Sequence, residues 1–407
     1  MHLDIKHNTK VCRGKLNITG SKSETNRLLL LQAFISGFKI KNKSNSEDSK
    51  TMSAALLSKD KIIDVNHAGT AMRFLTAYFS QIDGREVLLT GSKRMQERPI
   101  EILVDSLNSI GADITYEKKN GYPPLRIKGK KLEGGSITLP ANISSQFISA
   151  LIMLGPFVEK GIELILTGDI TSKPYIRMTL VLLERFGIKT KFEGQTIKVE
   201  YNNSPTKTEQ VVESDWSSAS YIFSVVALSE GSEISLKTFK QKSLQGDSII
   251  QKIYKKLGVS SFFDGNDLLL KKEKTKLPKK IYYDLSNSPD IAQTISVTCF
   301  GLGIECELVG LHTLKLKETD RLFALYTELK KLGADISVTD KSLHLSSNNS
   351  FINNCSIATY DDHRMAMAFA PLSLKVPLSI QEASVVSKSY PDFWNDLIQL
   401  NFDIKNR

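Results

Sequence analysis

Four glycines, Gly111, Gly187, Gly258 and Gly333, recur at intervals of 76, 71 and 75 residues. Each closes an amphipathic stretch and is followed by a short alternating segment, a turn and a second alternating segment. The four copies cover 103–114, 180–190, 249–262 and 322–338. A glycine directly after a helical period is the mark of a left-handed C-terminal cap. Segments such as Thr196-Ile197-Lys198-Val199-Glu200 and Asp267-Leu268-Leu269-Leu270 read as strands. A repeat of roughly seventy residues exceeds the common solenoid lengths, so the chain is expected to use a small α/β subdomain several times. A further copy begins near 52–57, but the glycine and hairpin are missing there. That copy is expected to be truncated.

A chain of 407 residues has room for two domains, each with its own core. With 41% hydrophobic and 24% charged residues it has the composition of a soluble globular protein. No apolar run is long enough to span a bilayer, and the start, Met1-His2-Leu3-Asp4-Ile5-Lys6, lacks a signal-peptide core. Cys12, Cys299, Cys306 and Cys355 show no metal-ligand spacing, which points to a reducing cytoplasm. The net charge of +10 is compatible with nucleic acid, anionic membranes or small anionic substrates. Much of it sits in lysine runs such as Lys271-Lys272-Glu273-Lys274. No basic run is interleaved with aromatics, which argues against nucleic acid.

The remaining cations stand at loop-to-helix junctions, where backbone N–H groups and the helix dipole favour anions. Lys22 and Arg27 frame Gly20-Ser21-Lys22-Ser23-Glu24-Thr25-Asn26-Arg27, which leads into a run of leucines. Asn66-His67-Ala68-Gly69-Thr70-Ala71-Met72-Arg73 brings small residues together, for close packing or for approach to a ligand. Arg98 precedes Pro99. Ser144-Ser145-Gln146 and Ser172-Lys173-Pro174-Tyr175 offer polar groups at helix starts, and capping alone would explain their serines. Asp290 follows Pro289 at the mouth of an apolar helix, as a dipole complement or a general base.

Lys317-Glu318-Thr319-Asp320-Arg321 opens a helix whose Leu322, Leu325, Leu329 and Leu332 mark a buried face. If the helix has begun by Lys317, its charge repels that of Arg321. Glu318 can offset this by pairing with Arg321, or both cations await an anion. Asp361-Asp362-His363-Arg364 invites a metal, but the other histidines show no paired spacing, so His363 reads as an orienting group. Lys388 completes the set. Seven such cations with Asp290 and Glu318 suit a phosphorylated, carboxylated substrate pair.

Taken in order, these motifs resemble the 5-enolpyruvylshikimate-3-phosphate (EPSP) synthase family, from 20–27 through to 388–391. The resemblance implies two inside-out α/β barrels of repeated βαβαββ units with a ligand cleft between them. Their bounds would be 1–20 with 213–407, and 21–212. It implies transfer of the enolpyruvyl group of phosphoenolpyruvate to the 5-hydroxyl of shikimate 3-phosphate, with release of phosphate. No cofactor, metal, nucleic acid or membrane is implied, and a monomer is expected. Lys22, Gly69, Arg98, Gln146, Arg321, Arg364 and Lys388 would hold phosphoenolpyruvate. Lys22, Ser23, Arg27, Ser144, Ser145, Gln146, Ser172, Asp290 and Lys317 would hold shikimate 3-phosphate. Asp290 would take the hydroxyl proton, with Glu318 or Lys22 moving the proton at the methylene.

Three departures stand out: His67 where many members have Asn, Thr313 where some have Asn, and a short segment from 46 to 64. The related nucleotide-sugar enolpyruvyl transferases carry a reactive cysteine where this chain has Lys93. The RNA 3′-phosphate cyclases need a nucleotide-accepting histidine, for which only His344 and His363 stand near the C-terminus.

Overall fold

The computed structural model describes residues 1–142, 144–347 and 350–407. The chain forms two compact units, Met1–Gly20 with Glu213–Arg407, and Ser21–Val212. The first is therefore built from both ends of the sequence.

Among the described residues one topology is used five times. In the second unit, strand Ile62–Asp64 leads through helix Gly69–Gln81 to strand Glu86–Thr90. Helix Glu101–Ser109 and the antiparallel strands Asp113–Tyr116 and Leu125–Lys128 complete the copy. The first two strands are parallel, the fourth lies antiparallel beside the second, and the third forms the outer edge. The same order recurs for the strands Gly135–Pro140, Ile162–Thr167, Thr196–Val199 and Thr190–Glu193, and twice more in the first unit. The four recurring glycines have φ of 100°, 72°, 81° and 96°, the left-handed conformation that ends each copy's second helix.

The fifth copy carries no such glycine. Strands Cys355–Ile357, Leu378–Ile380 and Asp403–Asn406 form a sheet that the N-terminal strand Leu3–Lys6 completes. Helix Phe393–Gln399 is followed by Asn401 at φ 68°, so asparagine takes the position that glycine holds elsewhere. The sixth copy is cut short, as the missing glycine suggested. Helix Glu47–Leu57 passes directly to Ile62–Asp64 without a hairpin, and Ile40–Lys41 pairs only with Gln210–Val211.

The crossover helices between parallel strands are the buried ones. Every residue of Trp216–Leu228 except Ser217 is buried, as is all of His363–Phe369 and nearly all of Ala292–Leu302. A helix apolar on all sides has to lie inside a domain. Hydroxyl groups on these helices pair across the seams between them. Thr298 Oγ1 donates to Ser224 Oγ at 2.7 Å, and Ser220 and Thr294 hydroxyls meet at 3.1 Å. Among the described residues no helix is long and apolar enough to cross a membrane.

Candidate active site

In the second unit Arg27 gathers three helix starts. From helix Lys22–Phe34 its Nε donates to Thr179 Oγ1 at 2.7 Å, and Nη2 donates to Ser149 Oγ at 2.9 Å and Tyr175 O at 3.4 Å. Nη1 closes onto Ser23 O at 2.8 Å. Thr179 and Tyr175 belong to helix Lys173–Glu184, and Ser149 to Ser145–Leu154. Arg27 is 2% exposed and its direct partners are neutral oxygens. Burial lowers its pKa to about 10, which leaves a desolvated charge that an anion would complement.

The expected polar groups lie at those same helix starts. Ser144 caps Ser145–Leu154, accepting from Gln146 N at 3.4 Å. Gln146 Nε2 donates to Thr70 Oγ1 at 3.1 Å, which links this helix to the start of Gly69–Gln81. Ser172 makes no side-chain cap and has left-handed backbone, φ 54°. Such geometry in a non-glycine residue is costly and tends to persist at ligand sites. Lys22 opens its helix with Nζ 2.9 Å from Asp48 Oδ2.

Gly69 explains the run of small residues. A Cβ there would lie 2.6 Å from Arg98 Nη1, so the guanidinium rests on bare backbone. Arg73, 3% exposed, donates to Gly69 O at 3.3 Å and Pro99 O at 3.2 Å, fastening the Arg98 turn to the same helix start. His67 is exposed, with Nδ1 2.9 Å from Ser92 Oγ.

In the first unit Arg321 is the centre. Helix Arg321–Lys331 begins after Asp320, whose carboxylate caps Leu322 N and Phe323 N at 3.1 Å each. Lys317 thus lies before the helix, and the expected pairing of Glu318 with Arg321 forms at 2.8 Å. Arg321 also donates from Nη1 to Asp290 Oδ1 at 2.8 Å and from Nε to Asp362 Oδ2 at 2.7 Å. Arg364 Nη2 reaches Asp290 Oδ2 at 3.1 Å, Lys317 Nζ stands 3.4 Å from Asp290 Oδ1, and Lys388 Nζ is 3.2 Å from Glu318 Oε1. Four cations and three carboxylates therefore share one network. His363 is buried, its Nδ1 3.6 Å from Asp362 Oδ1, beyond hydrogen-bond length. Thr313 sits in the turn His312–Leu316.

Burial works to raise the pKa of Asp290, but Arg364, Lys317 and Arg321 outweigh it and hold the carboxylate well below its ordinary range. Burial lowers that of Lys317. Asp247 behaves oppositely: burial, and next the charge of Asp290, push it up to about 7, although Ser217 donates a hydrogen bond to it. The roles of Asp48, Arg73 and Asp247 and the bond from Arg321 to Asp362 escaped the sequence reading. Asp48 looks there like any first-turn acid, and Asp247 stands alone after Gly246.

The fold is similar to that of solved structures over the length of the chain. It is similar to the EPSP synthase of Acinetobacter baumannii with a TM-score of 0.78 and 21% identity, each chain covered completely. It is also similar to the enolpyruvyl transferase NikO of Streptomyces tendae, with a TM-score of 0.75 and 14% identity over 99% and 98% of the two chains. The sequence profile of EPSP synthase (3-phosphoshikimate 1-carboxyvinyltransferase) matches residues 54–397. A 3-phosphoshikimate 1-carboxyvinyltransferase of Bacteroides fragilis strain YCH46 is 43% identical over 402 residues, covering 97% of this chain and 96% of the relative. Another from Haemophilus influenzae strain PittEE is 35% identical, covering 94% and 95%. The chain belongs to the EPSP synthase family and is an enzyme of this transferase class.

Proposed function

We propose that this chain carries out the family's reaction with the two residue sets described above. The enzyme transfers the enolpyruvyl group of phosphoenolpyruvate to the 5-hydroxyl of shikimate 3-phosphate and releases phosphate, on the route to chorismate. The observation that carries the assignment of residues is the Arg321 network, because it holds cations for an anionic donor and carboxylates for proton transfer in one place.

The 5-hydroxyl oxygen bonds to the central carbon of phosphoenolpyruvate as the methylene takes a proton. The tetrahedral adduct then loses that carbon's phosphate and a methyl proton, which restores the double bond. Asp290 accepts the hydroxyl proton, and Glu318 or Lys22 handles the proton at the methylene. Arg364, Lys317 and Arg321 hold the Asp290 carboxylate well below its ordinary range, which weakens it as a base. Substrate carboxylate and phosphate would draw on the same cations and leave Asp290 more basic. Ligand binding therefore prepares the base.

Arg321, Arg364 and Lys388 would hold phosphoenolpyruvate from the first unit, with Lys22, Arg98, Gln146 and the Gly69 backbone from the second. Lys317 and Asp290 would meet shikimate 3-phosphate together with Lys22, Ser23, Arg27, Ser144, Ser145, Gln146 and Ser172. The units are read as the family's inside-out barrels, 1–20 with 213–407 and 21–212. A cytoplasmic monomer acting on small molecules, without cofactor, completes the proposal.

The decisive assay is phosphate release from phosphoenolpyruvate with shikimate 3-phosphate or UDP-N-acetylglucosamine as acceptor. Release with the first alone is expected. Release with only the nucleotide sugar, or with neither, would overturn the proposal.

A further inference from the structure

Glu328 is fully buried in helix Arg321–Lys331, two turns beyond Arg321. A buried carboxylate demands strong partners, and this one takes two of them from a single loop. Its Oε1 accepts from the Tyr360 hydroxyl at 2.6 Å, and Oε2 from Ala358 N at 3.2 Å. Lys331 Nζ, on the solvent side, is 2.8 Å from both oxygens.

The loop it grips is unusual. Tyr360 and Asp361 are consecutive non-glycine residues at φ 55° and 54°, a conformation that persists only when its surroundings enforce it. Asp362 follows at once. It accepts from Arg321 Nε at 2.7 Å and caps helix His363–Phe369 by accepting from Arg364 N at 2.9 Å. Arg321 and Glu328 lie seven residues apart, on the same face of one helix. One fastens the end of the loop and the other its beginning.

We propose that Glu328 is a positioning residue for the anion site. Through Tyr360 and Ala358 it enforces the left-handed turn that delivers Asp362 to Arg321 and aims the Arg364 guanidinium. It touches no substrate and acts through Asp362 on Arg321 and Arg364, so the proposal rests on the assignment of those two arginines to phosphoenolpyruvate.

Tyr360→Phe removes one bond at nearly constant volume, and Glu328→Gln keeps an acceptor while losing the charge. Each variant is assayed for KM of both substrates, for kcat and for thermal midpoint, and phosphoenolpyruvate is titrated calorimetrically. Tyr360→Phe should raise the phosphoenolpyruvate KM and Kd roughly 3–10-fold, with kcat and the shikimate 3-phosphate KM within about twofold. Glu328→Gln should do the same more strongly, and the double variant should fall short of the product of the two, since both act through one loop. A lowered thermal midpoint with unchanged phosphoenolpyruvate binding would reduce Glu328 to a structural residue. Equal loss of both substrates would also overturn the proposal. An inactive wild-type enzyme would count against the functional assignment instead, while the calorimetric titration would still test the positioning.

Discussion

Arg321 donates to Asp290 at 2.8 Å from a guanidinium that is only 2% exposed, and the same group holds Glu318 and Asp362. All three carboxylates thus compete with any incoming anion for one cation. A desolvated ion network of this kind adds little net stability, because the cost of removing the charges from water offsets their attraction. Its value lies in partner exchange. Under the proposed roles, an anion drawing on Arg364 and Lys317 would loosen their hold on Asp290 and so link occupancy to basicity.

Replacing Asp290 by Ala separates these two effects. Turnover should fall about 100- to 10,000-fold, the range of a lost general base. Phosphoenolpyruvate affinity should stay level or tighten, since Arg321, Arg364 and Lys317 lose a neutralising partner. Rapid-quench phosphate release and calorimetric titration check the two halves. Turnover within a few-fold of wild type would remove Asp290 from the mechanism.

Arg321→Met should be costly for the fold as well as for activity. Removing the cation leaves the fully buried Asp362 facing the half-buried Asp290 and Glu318, and breaking a buried ion pair costs about 3–5 kcal/mol. Chemical denaturation at neutral pH should record a loss of that order. Part of it should return at low pH, where the carboxylates take up protons. A stable variant with unaltered phosphoenolpyruvate KM would show that Arg321 is neither anchor nor ligand.

Gly69→Ala tests the contact beneath Arg98. The new methyl would meet a guanidinium rather than backbone, so the side chain can swing away and the fold should tolerate the change within about 1 kcal/mol. Arg98 would then leave its seat. The expected result is a phosphoenolpyruvate KM raised roughly 10–100-fold, with the shikimate 3-phosphate KM little altered. Parallel weakening of both substrates would contradict the assignment of Arg98.

Much of this was legible in the chain because local physics dictates it. The capping glycines report a backbone conformation that few other residues adopt, so Gly111, Gly187, Gly258 and Gly333 expose the repeat. The copy with Asn401 in that role was invisible to the same search, and its closing strand, Leu3–Lys6, lies at the other end of the sequence. The cations at helix starts were readable as candidates. What they touch was not, because Arg27 meets Ser149 and Thr179, more than a hundred residues away. Whether Lys317 lay inside the helix turned on one cap, Asp320. Asp247 gave no local signal, since its character comes from burial and from Asp290 across the fold.

Asp247 supplies the last test. Burial, and next the charge of Asp290, raise its folded-state pKa from 3.8 to about 7. Below about pH 4 the group is protonated in both folded and unfolded chains and costs nothing. Between about pH 4 and 7 the unfolded chain releases the proton while the folded chain keeps it, so stability drains away as pH rises. Above about pH 7 the full cost persists, at most about 4 kcal/mol at roughly 1.4 kcal/mol per pH unit. Asp247→Asn removes the ionisation and keeps an acceptor for Ser217. The variant should therefore match wild type near pH 4 and exceed it in denaturation midpoint at pH 8. Equal stabilisation at both pH values would show that packing, not ionisation, sets the cost of Asp247. A loss at pH 8 would show that its charged form is held by partners stronger than its burial.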